Sequence, residues 1–214
     1  MATTFPDRSE AGKQLAEALV AYKDRKDVIV LALPRGGVPV GVEIAKALDV
    51  PMDLMLVRKL GVPGEEELAM GAVAMGGVCF LNDDVMRQFQ ISQSGLDEVT
   101  ERERHELLRR NALYRGGRAA PQLKGQTVIL VDDGIATGAD MRAAVRAAKQ
   151  LEAKRIVVAV PVASDSATAI LKREADEMIS LLVPSVFFGV GAFYEDFAQM
   201  EDDEVIALMA TVRQ

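Results

Sequence analysis

Val128-Ile-Leu-Val-Asp-Asp-Gly-Ile-Ala-Thr-Gly-Ala-Asp140 is the stretch whose reading decides the fold. Val128 to Val131 form a continuous apolar run, the pattern of a strand buried on both faces of a parallel sheet. Asp132 and Asp133 stand at its carboxyl end, followed by the small-residue turn Gly134 to Ala139. Met141, Ala144, Val145, Ala148 and Leu151 then recur at helical spacing. The unit is strand, acid pair, tight turn and helix. In open parallel sheets, ligands bind beyond the carboxyl ends of the strands. A helix start offers unpaired N–H groups and a positive dipole end, which suits an anion. Small residues let the backbone approach a phosphate closely, and Thr137 adds a hydroxyl donor. The carboxylates would repel that phosphate. They suit neutral hydroxyls or a hard cation such as Mg2+. Phosphate cradle, hydroxyl acceptors and metal together describe a phosphorylated sugar.

Outward from this stretch, the pattern alternates. A helix is predicted over Glu10–Tyr22, a strand over Val28–Leu33, and a helix over Val40–Leu48. Strands are expected over Asp53–Val57, Glu67–Met75 and Val78–Leu81, then over Ile156–Val160 and Met178–Val183. Helices are expected over Ser164–Glu174 and from Asp202, the last with Val205, Ile206, Met209 and Val212 inward. This predicts an α/β protein with a doubly wound parallel sheet. Residues 82–122 break the rhythm. They are highly charged and mostly helical, and read as an inserted flap in a single domain spanning 1–214.

Composition narrows the function. The 214 residues are half hydrophobic, enough for a substantial core. Asp and Glu outnumber Lys and Arg, 32 to 25, for a net charge of −7. An acidic chain is a poor general binder of nucleic acid, where affinity comes largely from phosphate neutralisation. No apolar run reaches membrane-spanning length, the first residues do not read as a signal peptide, and a single cysteine fits a reducing cytoplasm. Cys79 is expected to be a buried small residue and His105 a surface one. One Cys and one His leave no set for structural zinc.

Other segments add to the site. The first strand runs into Pro34-Arg35-Gly36-Gly37-Val38-Pro39, a second glycine turn at a strand's carboxyl end. The next strand ends in Arg58-Lys59 before Leu60-Gly-Val-Pro-Gly-Glu-Glu-Glu67. Residues 34–41 do not supply the Gly-x-Gly-x-x-Gly of a Rossmann dinucleotide site.

The stretch 128–140 resembles the 5-phosphoribosyl-1-pyrophosphate (PRPP) signature of type I phosphoribosyltransferases. Together with Pro34–Pro39, Arg58-Lys-Leu-Gly and Val190-Gly-Ala-Phe-Tyr-Glu-Asp-Phe197, it is similar to a bacterial group of predicted phosphoribosyltransferases, over roughly residues 5 to 212. The resemblance implies that Asp132 and Asp133 hold the ribose hydroxyls, with Mg2+ nearby. It implies that Gly134, Ile135, Ala136, Thr137, Gly138, Ala139 and Asp140 surround the 5′-phosphate. Pro34, Arg35, Gly36 and Gly37 would form the pyrophosphate loop, often with a non-proline cis peptide. Arg58 and Lys59 would touch pyrophosphate beneath a mobile loop, with Glu65 to Glu67 facing solvent or holding metal indirectly. A small hood is expected to read the acceptor, with Phe187, Phe188, Phe193, Tyr194 and Tyr114 as candidates to stack on a base; Asp196 either receives a base N–H or caps a turn. Where the family usually has Thr or Ser, this chain has Asp140, which is expected to cap the helix and compete with the phosphate.

The implied reaction is displacement of pyrophosphate from PRPP by a nitrogen acceptor in nucleotide metabolism, with Arg35, Arg58, Lys59, Asp132 and Asp133 as its catalytic groups. The alternative is a module that senses PRPP or a nucleotide without turnover. Nucleic acid and membrane partners are not expected. A homodimer is, on resemblance alone.

Overall fold

The computed structural model describes residues 4–212, and of Glu67 only the backbone. Its centre is a five-stranded parallel sheet of β1 (Val28–Ala32), β2 (Met52–Leu54), β6 (Thr127–Val131), β7 (Arg155–Val162) and β8 (Glu177–Leu182), in the order β2-β1-β6-β7-β8. Successive side chains of a strand point to opposite faces, and the core divides accordingly. Val28, Val30, Ala32, Ile129, Val131, Val157 and Ala159 pack with α1 (Arg8–Ala18), α2 (Gly37–Leu48) and α7 (Asp202–Met209). Leu31, Leu33, Val128, Leu130, Ile156, Val158 and Val160 pack with α5 (Ala139–Gln150) and α6 (Asp165–Glu174). The sheet is doubly wound, as the apolar runs predict. The helix starts follow local chemistry: Asp7 caps α1 by accepting from Glu10 N–H, and Ser164 caps α6 by accepting from Ala167 N–H.

The second strand expected over Asp53–Val57 is instead split between two elements. β2 ends at Leu54, and β3 (Val57–Val62) joins β4 (Glu65–Ala74) and β5 (Val78–Leu81) in a separate antiparallel sheet. Pro63-Gly64, with Gly64 at φ +83°, links β3 to β4. Proline preset at one turn position and a glycine at positive φ in the next make a tight hairpin. The departure from parallel rhythm therefore begins at Val57, well before Asn82.

The expected helical flap follows as α3 (Asp83–Gln88) and α4 (Gln93–Arg115). Leu96, Val99, Thr100, Glu103, Leu107, Asn111, Tyr114 and Arg115 line the buried face of α4. The first helix stops at Ala18 and tightens into a 3₁₀ turn over Val20–Tyr22. β8 is half-buried throughout rather than a core strand, because it lies at the sheet edge. Ile206 is exposed, while Val205 and Met209 are buried as expected. Cys79 is half-buried on β5, and His105 is exposed.

Candidate active site

The site lies beyond the carboxyl ends of β1 and β6. Two glycines let these ends meet. A Cβ on Gly36 would lie 2.6 Å from Cγ of Asp133, and one on Gly37 would lie 2.7 Å from the Val131 carbonyl oxygen. Any larger residue would push the Pro34–Gly37 turn off the acid pair. The Pro34–Arg35 peptide bond is cis, the form the resemblance implies.

Asp132 and Asp133 are held differently. Asp132 Oδ1 accepts the Asp133 N–H at 2.9 Å. Burial first, and the neighbouring Asp133 second, push the Asp132 carboxyl well above its ordinary pKa. Asp133 is also raised by burial, but a hydrogen bond from Arg8 opposes this. Arg8 Nε donates to Asp133 Oδ2 at 2.8 Å, and the Tyr194 hydroxyl donates to the Asp133 carbonyl oxygen at 2.5 Å. A crowded, half-buried acid pair of this kind gains from a ligand bringing hydroxyl donors or a cation.

A cleft of about 540 Å³ opens beside Asp132, within the usual range for small-ligand sites. It brings together Pro34, Arg58, Lys59, Asp132 and Asp140 of the predicted residues. Cations Arg58, Lys59, Arg102 and Arg110 face acids Glu66, Glu103, Asp132 and Asp140 across it, four against four. Arg58 is itself held by Glu103, with Nε and Nη2 each 2.8 Å from Oε2. The loop expected to close over the site is the β3–β4 hairpin. Glu66 reaches the cleft, Glu65 is exposed, and the Glu67 side chain lies outside the described residues.

Arg35, Gly36 and Asp133 instead border a second depression of about 330 Å³, with Arg8, Phe197, Gln199 and Met200. Arg35 points to α7, its Nη1 3.6 Å from Asp202 Oδ1 and 3.8 Å from Glu201 Oε2. Residues 134–140 run from the turn after β6 into the start of α5. Gly138 adopts φ +79° before α5, Ile135 is buried, and Ala136 and Thr137 are exposed. Thr137 Oγ1 lies 3.4 Å from the Ala139 N–H, as acceptor. Asp140 makes no cap; the cap position is Gly138, and the Asp140 side chain is exposed on the cleft wall.

A family model for the phosphoribosyl transferase domain matches residues 4–197. The chain belongs to this family. Two Mycobacterium tuberculosis proteins, from strains CDC 1551 and H37Rv, are each 46% identical over 205 residues and carry the name "Putative phosphoribosyl transferase". The matches cover 96% of this chain but 46% of those proteins, so the chain spans about half the length of the curated relatives it matches. The crystal structure of TT1426 from Thermus thermophilus is 43% identical, with a TM-score of 0.89 over 99% of this chain and 100% of that one.

Of the five expected base-stacking aromatics of this phosphoribosyl transferase domain, three pack together and Phe188 and Tyr114 lie apart from them. Phe193 and Tyr194 are buried in a small core with Phe5, Ala11 and Val162. Phe187 stacks on Phe193 at 5.6 Å, while Phe188 is 91% exposed. Tyr114 is buried on α4, its hydroxyl donating to Asp202. Asp196 caps a turn, accepting from Ala198 N–H at 3.0 Å. Two groups escaped the sequence reading. Arg8 lies 125 positions from Asp133, and no local pattern marked it. Arg102 and Arg110 reach the cleft only because α4 folds back over it.

Among the described residues, no group of three or more His, Cys, Asp or Glu side chains is arranged to hold a metal ion. Mg2+ commonly binds one or two carboxylates plus ligand phosphates and waters. Asp132 and the Asp133 oxygen not taken by Arg8 fit that mode. No helix of the described residues is long and apolar enough to cross a membrane. The flap's basic residues are largely paired: Arg109 and Arg110 with Glu106, Arg104 with Glu101, Arg102 with Glu103.

Proposed function

We propose that this chain binds PRPP with Mg2+ and transfers its phosphoribosyl group to a nitrogenous base or related acceptor. The acceptor nitrogen forms a bond to C1, the C1–O bond breaks, its electron pair leaves on pyrophosphate, and the acceptor's proton passes to water. In this reading Asp132 and Asp133 hold the ribose hydroxyls. The backbone from Gly134 to Asp140 takes the 5′-phosphate, and the Pro34–Gly37 turn takes pyrophosphate. Arg58 and Lys59, with Arg35 turned inward, neutralise charge developing on the leaving group. Asp132 and Asp133 would hold Mg2+, which would supply further positive charge at the leaving group.

The observation that carries this reading is the close approach of Gly36 and Gly37 to the acid pair, whose Asp132 lines one cleft with Pro34, Arg58 and Lys59. Isothermal titration of PRPP with and without Mg2+, followed by pyrophosphate release with a panel of bases, tests it. Mg2+-dependent binding and release with one acceptor class are expected. No binding of PRPP would sink the proposal. Asp133→Asn is expected to lose PRPP binding with the fold intact.

A PRPP-sensing module without turnover is the second reading. It is favoured by the evenly balanced cleft, by the hold of Glu103 on Arg58, and by the turn of Arg35 toward α7. Tight PRPP binding with no pyrophosphate release across the acceptor panel would select it.

A further inference from the structure

Arg8 opens α1, and its guanidinium is committed on several sides. Nε donates to Asp133 Oδ2 at 2.8 Å, and Nη1 donates to the Ala198 carbonyl at 2.9 Å. The group stacks on Phe197, 3.9 Å from the ring centre. The side chains of Arg8 and Asp133 are 12% and 13% exposed. An ion pair largely withdrawn from water is weak evidence for stability, because desolvation offsets the attraction. A pair placed in the proposed ribose-binding carboxylates therefore calls for a functional account.

Several contacts aim Arg8. Phe5 N–H donates to the Phe193 carbonyl at 2.8 Å, and Glu195 N–H donates back to the Phe5 carbonyl at 2.8 Å. This stitches the N-terminal segment, just before α1, to the segment Phe193–Glu195, the part expected to form the hood. α1 then lies close on α2; a Cβ on Gly12 would sit 2.8 Å from the Val40 carbonyl oxygen. Tyr194 holds the Asp133 backbone from the hood side. N-terminal segment, hood and acid pair are thus one connected unit.

We propose that Arg8 is a positioning residue for the ribose: by occupying Asp133 Oδ2 it presents the other carboxylate oxygen to the sugar hydroxyls, and so sets a preference for ribose over 2-deoxyribose. The inference rests on the PRPP reading above. A carboxylate oxygen oriented for a hydroxyl is left unpaired by a sugar that lacks it, and such sites discriminate strongly. A carboxylate free to rotate adapts to either sugar.

The test is calorimetric titration of ribose 5-phosphate, 2-deoxyribose 5-phosphate and inorganic pyrophosphate into the wild type, Arg8→Met, Arg8→Lys and Phe197→Leu proteins. The wild type is expected to prefer ribose 5-phosphate. Arg8→Met is expected to weaken ribose 5-phosphate about tenfold, the scale of one charge-assisted hydrogen bond, and to bring the two sugars close to equal affinity. Pyrophosphate affinity should be unchanged, and Arg8→Lys should restore part of the preference. Phe197→Leu keeps the charge but removes the stacking face, and should fall between. An equal loss for all three ligands, or an undiminished ribose preference in Arg8→Met, would overturn the proposal while leaving the PRPP reading standing. Failure of the wild type to bind either sugar phosphate or PRPP would remove the PRPP reading, and this inference with it.

Discussion

Arg115 grips Asp53 through two parallel hydrogen bonds, Nε to Oδ1 and Nη2 to Oδ2, each 2.8 Å. The pair is buried, with 2% of the Arg115 side chain and 10% of Asp53 exposed. The remaining Arg115 donors reach Asn111 Oδ1 and the Arg118 and Ala119 carbonyls. This network ties the end of α4 to β2, and so holds the flap that brings Arg102, Glu103 and Arg110 to the cleft. Removing one partner of such a pair leaves a buried charge unpaired. Asp53→Ala is expected to cost about 3–5 kcal/mol in denaturant unfolding, and the double variant with Arg115→Met should cost less than the sum of the two. Additive losses would show the pair to be uncoupled.

Gly36→Ala places a methyl group against the Asp133 carboxylate. Because the turn and the acid pair cannot both keep their positions, PRPP binding should fall at least tenfold, while circular dichroism stays native. Wild-type affinity in titration would mean that the turn has room to yield.

Asp140 stands one residue into α5 on the cleft wall and caps nothing. Its charge opposes an incoming phosphate, whereas a hydroxyl there would donate to it. Asp140→Thr should bind PRPP several-fold more tightly, most clearly at low ionic strength, where repulsion is least screened. Unchanged or weaker binding would place the phosphate away from this side chain.

The three tyrosines supply a pH test. Burial is the main cause raising each phenol above its ordinary pKa of 10.0; Glu177 also raises Tyr22, Asp202 lifts Tyr114 to about 12, and Asp133 raises Tyr194. Above pH 10 the unfolded chain releases phenolic protons that the folded chain retains. The unfolded state then binds fewer protons, so stability is full below pH 10 and falls as pH rises through the folded values. Ultraviolet titration should show less phenolate at the ordinary midpoint than three free tyrosines would give while the protein stays folded, followed by cooperative ionisation on alkaline unfolding. A tyrosine titrating near pH 10 in the native protein would contradict the burial of its hydroxyl.

The acid pair and glycine turns were legible in the sequence because their chemistry is local. A continuous apolar run must be buried on both faces, acids at its end must stay at the surface of the sheet, and small residues must follow if a helix is to start there. The same reasoning placed β1, β6, β7 and the helices beside them to within a few residues. It also placed β4 and β5 to within two residues, but it missed β3 and the separate antiparallel sheet, because short apolar runs fit a parallel or an antiparallel strand equally well. Only the Pro63-Gly64 hairpin and the packing of β4 against β3 separate that sheet from the main one.

The sequence by itself determined the β6–α5 unit, the Pro34–Gly37 turn and the doubly wound core, because each depends on neighbours within a turn or a strand. The tertiary structure alone decided which charges meet. Arg8 reaches Asp133 across 125 positions, Arg115 reaches Asp53 across 62, and Arg58 reaches Glu103 across 45. Partner choice over such separations is set by how helices and loops pack, and side chains distant in sequence carry no local pattern that announces it.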